Sequence, residues 1–89
     1  MLKIQVTIIN RLGLHARAAA KFITEAGQYS SQILLARDDK PVNGKSIMEV
    51  MMLAASQGTE LTLITEGDDE HEASAALEAL IKDRFGEPE

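Results

Sequence analysis

Cysteine and tryptophan are absent from this 89-residue chain, and its only aromatic residues are two Phe and one Tyr. Without cysteine there is neither a disulfide framework nor a thiolate metal site. No apolar run approaches the ~18 residues of a transmembrane helix, so direct membrane insertion is not expected. The lack of a leader-like apolar stretch argues against secretion and for a cytoplasmic protein. Basic excess is missing too: the net charge is −5, and with few aromatics the chain offers neither the footprint nor the stacking platform of a nonspecific nucleic-acid binder. Internal repeats, linkers and low-complexity segments are also lacking. What is present is a 45% hydrophobic composition, so Ile, Leu, Val, Met and Ala must fill the core. The length suits one small domain over residues 1–89, with 86–89 expected as a loose C-terminal tail.

Periodicity orders the elements. Leu2 to Ile9 alternates as a strand, with Ile4, Val6 and Ile8 on one face. A helix over about Ala16 to Ala26 carries Ala19, Phe22, Ile23 and Ala26 on one stripe, and Gly27 stands where a left-handed cap is expected. Gln32 to Arg37 and Lys40 to Asn43 read as a hairpin turning at Asp38-Asp39, with Pro41 marking an edge strand. Ser46-Ile47-Met48-Glu49 has the form of a capping box, with Ser46 as N-cap of a short helix. Glu60 to Glu66 is a fourth strand, and a last helix with Ala73, Ala76, Leu77, Leu80 and Ile81 inward runs to about Arg84. The order β-α-β-β-α-β-α fits an α+β fold: a four-stranded, mainly antiparallel sheet with three helices on one face.

Gly13-Leu14-His15-Ala16-Arg17 falls at the first strand-to-helix junction. A helix start offers unpaired N–H groups and positive dipole, here at Ala16, Arg17 and Ala18, and Arg17 adds a forked cation suited to phosphate. Anion binding needs no nucleophile, yet neutral imidazole can attack phosphorus. A surface histidine beside an ordinary surface arginine is the competing reading of this pentapeptide.

Three segments together carry a resemblance. Asn10-Arg11-Leu12-Gly13-Leu14-His15-Ala16-Arg17, Val42-Asn43-Gly44-Lys45-Ser46-Ile47-Met48 and Gly67-Asp68-Asp69-Glu70 resemble the HPr family, the histidine phosphocarriers of the bacterial phosphotransferase system. The resemblance spans nearly the whole chain. It implies an open-faced β-sandwich whose His15 takes phosphate, on Nδ1 by family precedent, from enzyme I charged by phosphoenolpyruvate. His15 would pass it to IIA-type domains, with Arg17 and the first helical N–H groups holding the phosphoryl oxygens and no cofactor. Ala18 departs from the pattern, since many relatives carry proline there.

Ser46 has two readings: an N-cap whose loss costs about 1 kcal/mol, and, by resemblance, a regulatory site for a serine kinase and phosphorylase. Glu49 replaces a glycine common in relatives, and its carboxylate would oppose a phosphate. The Ile47, Met48, Met51 and Met52 cluster exceeds what a two-turn helix can bury, so Ile47, Met48 and Met51 are expected at a partner interface. Leu14 is expected to join them, with Arg17, Lys21 and Lys45 as a basic rim. The acids around His71 read as a helix cap with first-turn charges, with no metal site implied. A carrier of this kind is expected to be a monomer. A sugar-type carrier, a nitrogen-type carrier of a regulatory relay and a noncatalytic docking module all remain open on the sequence.

Overall fold

A computed structural model describes residues 1–89. The strands are β1 (Leu2–Thr7), β2 (Gln32–Arg37), β3 (Lys40–Asn43) and β4 (Glu60–Glu66); the helices are α1 (Ala16–Ala26), α2 (Ile47–Met52) and α3 (Glu70–Lys82), followed by a 3-10 turn at Arg84–Gly86. The sheet order is β1-β4-β2-β3 and every pair is antiparallel. The expected open-faced α+β sandwich is therefore the observed one.

Register explains the one-sided core. Ile4 and Val6 of β1 lie opposite Leu63 and Leu61 of β4, and Ile33 and Leu35 of β2 lie opposite Thr65 and Leu63. Because strand side chains alternate, these residues share one face, and α1 and α3 cover it. α1 contributes Ala18, Ala19, Phe22 and Ala26, and α3 contributes Ala73, Ser74, Leu77 and Ile81. Small alanines let the helix backbones approach while Phe22, fully buried, supplies ~1.5–3 kcal/mol by leaving water. Asp38 and Asp39 both have positive φ, 53° and 64°, as a two-residue hairpin turn of the favoured twist requires.

Several local expectations are revised by tertiary contacts. β1 ends at Thr7, not Ile9: the Ile8 backbone pairs with the Gly58-Thr59 turn instead of continuing the ladder. Gly27 is right-handed, φ −67°, so its expected left-handed cap is not used. Ile23, Ala76 and Leu80 are half-buried, and Ala18 and Ser74 take inward positions. Asp69 stands at the start of α3 without capping it, because its carboxylate accepts from the backbone and hydroxyl groups of Ser30 and Ser31. The Ser31 hydroxyl and then the Ser30 N–H outweigh burial, with the Ser31 N–H and Ser30 hydroxyl adding to them, and bring its pKa to about 2. That carboxylate ties the loop before β2 to the start of α3.

The largest revision is at the C-terminus. α3 stops at Lys82, and Arg84 and Phe85 adopt left-handed φ values of 56° and 55°. This reversal puts Phe85 into the core at 1% exposure. The expected loose tail is thus anchored, and Glu87 to Glu89 returns to the start of α1.

Candidate functional site

Local rules place His15 at the N-cap of α1, in extended backbone (φ −75°, ψ 176°) and with no side-chain capping bond. Its ring is free for other work. Two constraints fix the approach: the Leu14 N–H donates to the Ala55 carbonyl at 2.8 Å, and the Ala19 N–H donates to the His15 carbonyl at 2.8 Å. Gly13, at φ +69°, makes the turn that allows this; a Cβ there would lie 2.7 Å from the Ala55 oxygen.

The N–H groups of Ala16 and Arg17 have no acceptor, and both residues are exposed. They are the two donors an incoming anion can reach. Ala18 is fully buried, which removes it from the expected phosphate-binding set. Its N–H faces neither an acceptor nor solvent, so a proline there would sacrifice no hydrogen bond. Arg17 is exposed and makes no hydrogen bond or ion pair within the fold, leaving its guanidinium available. Lys21 is committed differently, donating to the Phe85 carbonyl at 2.7 Å.

The residue that sequence reasoning missed is Glu87. Its Oε2 hydrogen-bonds His15 Nε2, and its Oε1 accepts from Asn10 Nδ2 at 2.9 Å. Asn10 is itself fully buried and also donates to the Gly13 carbonyl at 2.7 Å. Burial alone would raise the Glu87 pKa, but hydrogen bonds from Asn10 and His15, with the charges of His15 and Lys21, hold it below the ordinary carboxylate value. Arg11 completes the fastening, its N–H on the Glu89 carbonyl and its Nε 3.3 Å from the Glu89 carboxylate. One signal was available: Phe85 is a large apolar residue in an otherwise polar end, and such a residue pulls its neighbours to the core surface.

The predicted interface divides. Met48 and Met52 are each 77% exposed and Met51 43%, while Val50 is fully buried and anchors α2 beneath them. Ile47 is half-buried against the core. Leu14 is 6% exposed and belongs to the core cluster, so it leaves the expected patch: the Ala55 bond that positions His15 turns Leu14 inward. Lys45 is exposed, with Nζ on the Tyr29 carbonyl at 2.6 Å. Met52 of the same cluster and Leu12, 63% exposed, extend the apolar surface beyond the expected interface residues. α1 packs against α2.

Ser46 caps α2 as expected, its Oγ accepting from the Glu49 N–H at 3.3 Å. The reciprocal half of the box is absent. Glu49 Oε1 accepts from the Asn43 N–H at 3.0 Å, while the Ser46 N–H donates to the Asn43 carbonyl. No cluster of three or more His, Cys, Asp or Glu residues is arranged to hold a metal, and no helix is long and apolar enough to cross a membrane.

Residues 2–83 match the family model described as "PTS HPr component phosphorylation site". The chain belongs to the HPr family. It is 56% identical over 89 residues to the phosphocarrier protein HPr of Cupriavidus necator, each chain being covered in full. The structure is similar to HPr-C-His from Thermoanaerobacter tengcongensis, with a TM-score of 0.96, 49% identity and full coverage of both chains. A structure described as an HPr dimer from that organism matches with a TM-score of 0.79 and 50% identity, covering 98% of this chain and 100% of that one. The protein is accordingly an HPr-type phosphocarrier of the phosphotransferase system.

Proposed function

We propose that His15 accepts a phosphoryl group from enzyme I, itself charged by phosphoenolpyruvate, and passes it to IIA-type domains. The observation that carries this is a histidine at a helix start with its capping position unused, beside two unpaired N–H groups and one uncommitted arginine. A ring nitrogen forms the new N–P bond as the donor's bond to phosphorus breaks. The Ala16 and Arg17 N–H groups and the Arg17 guanidinium hold the oxygens on which negative charge is spread. Both partners must reach the same atom, so the carrier cannot enclose it. Exposed Met48 and Met51, flexible and polarizable, suit successive docking to two surfaces, with Ile47 at the margin and Arg17, Lys21 and Lys45 as a basic rim. The carrier works as a monomer, checked by sedimentation at working concentration.

Ser46 adds a regulatory reading. A kinase that phosphorylates it would bring about −1.5 to −2 charges beside Met48, repelling acidic partner surfaces, and a phosphorylase would reverse this. Ser46→Asp should slow transfer from enzyme I without unfolding the protein.

The central test is incubation with enzyme I and phosphoenolpyruvate, followed by mass measurement. One acid-labile phosphate should be gained and His15→Ala should abolish it. An unchanged mass with active enzyme I, or label retained in the alanine variant, refutes the assignment and favours a noncatalytic docking role.

A further inference from the structure

The C-terminal strap ends on the reactive ring. Glu87 reaches His15 across 72 positions of sequence, and several independent contacts hold it there. Phe85 is sunk in the core, its carbonyl bound by Lys21; Asn10 fixes the other carboxylate oxygen; and Glu89 is bound by Arg11. The side chains of His15 and Glu87 are 28% and 16% exposed, so little solvent competes at their contact. An ionised carboxylate only accepts hydrogen bonds, which places the hydrogen of the ring on Nε2. The lone pair is then left on Nδ1.

We propose that Glu87 is a positioning residue for phosphoryl transfer: its carboxylate fixes the His15 tautomer and ring orientation and stabilises the positive charge the ring gains as the N–P bond forms. This rests on His15 being the phosphate carrier. In the step, the Nδ1 lone pair forms a bond to phosphorus while the donor's bond to phosphorus breaks and its electron pair leaves with the donor. The Nε2 hydrogen stays on the ring, more acidic than before and still bound to Glu87. On onward transfer the N–P electron pair returns to Nδ1 and the ring is again neutral. A carboxylate behind an imidazole does the same work in hydrolytic triads, orienting the ring and stabilising the imidazolium without taking its proton. Asn10 serves Glu87 as Glu87 serves His15, by holding the oxygen that the ring does not use.

The test combines ring spectroscopy with kinetics on the full chain. Long-range proton-nitrogen spectra of His15 should show the Nε2–H form in the wild type, a shifted tautomer balance in Glu87→Ala, and the wild-type form in Glu87→Gln, which keeps an oxygen acceptor. Phosphate acceptance should fall roughly 10- to 100-fold in Glu87→Ala, the value of a charge-assisted hydrogen bond, and by less in Glu87→Gln. The same losses should appear with phosphoramidate, a small donor that has no docking surface. Glu87→Ala should also lower the melting temperature, because the buried Asn10 Nδ2 loses an acceptor, whereas Glu87→Gln keeps one; the tautomer shift is the readout that this structural loss alone would not move. Wild-type or faster acceptance by Glu87→Ala, with none by His15→Ala, overturns the positioning role alone and makes the strap a resting-state cover. Label surviving in His15→Ala overturns the carrier assignment and this proposal with it.

Discussion

Replacing Gly13 by alanine should perturb the site and the fold together, and the structure supplies its own control. Gly13 and Gly58 both have positive φ, +69° and +90°. A left-handed backbone costs an L-residue roughly 1–2 kcal/mol. At Gly58 nothing lies within 4 Å of the added Cβ, so Gly58→Ala bears that cost alone, about 4–16 °C in Tm for a domain of this size. At Gly13 the new carbon would stand 2.7 Å from the Ala55 oxygen and 2.9 Å from Ser56 Cα. Both neighbours are backbone and cannot rotate away. Overpacking of this kind adds about 1–3 kcal/mol, for a total near 2–5 kcal/mol against a net stability of about 5–15. The displaced carbonyl is also the acceptor of the Leu14 N–H, the bond that anchors the residue before His15. Thermal melts and urea titrations of the two variants should rank Gly13→Ala well below Gly58→Ala, and phosphate acceptance should drop only in the former. Equal stabilities, or unimpaired acceptance by a folded Gly13→Ala, would show that the close approach is not what positions the histidine.

Other outcomes follow from the same contacts. Arg17→Ala should change stability by no more than about 0.5 kcal/mol, as for a surface residue without partners, while slowing phosphate acceptance roughly 10- to 100-fold; parallel losses of Tm and rate would make the arginine structural. Asp69 has a folded pKa of about 2 against an ordinary 3.8. Because the folded value is the lower one, its stabilisation is complete above the ordinary value and is lost as pH falls through the folded one. Urea midpoints followed into acid should therefore decline more steeply in the wild type than in Asp69→Asn over that window. Ser46→Ala should cost about 1 kcal/mol in urea titrations through its lost bond to the Glu49 N–H, and a neutral result would mean that the packing of Val50 and Ile47 and the Glu49–Asn43 bond hold α2 without the cap.

The comparison of chain and fold is sharpest at α2 and at the tail. The start of α2 and the capping role of Ser46 were legible because they depend on neighbours within a turn; its end at Met52 was not, since Leu53 turns into the core and Ala54 takes a positive φ of 52°. The partner of the Glu49 carboxylate was not, since Asn43 lies before the cap and is brought near by the end of β3. Leu14 shows the same division. Its apolar side chain beside the histidine reads equally as core or interface until the Ala55 bond fixes its direction. Asp69 is a plausible cap by sequence, but two serines 38 and 39 positions earlier claim its carboxylate.

By itself the sequence determined the element order, the one-sided sheet, the place of His15 at a helix start and the family motifs. These rest on period-2 and period-3.6 patterning and on caps, all set by residues a few positions apart. Tertiary structure alone decided that Ala16 and Arg17, but not Ala18, present open N–H groups, that Leu14 turns inward, and that the polar end of the chain returns to the histidine. No local rule relates Glu87 to His15. The burial of Phe85 and the left-handed turn at Arg84 and Phe85 bring them together, and such a contact exists only once the core has formed around it.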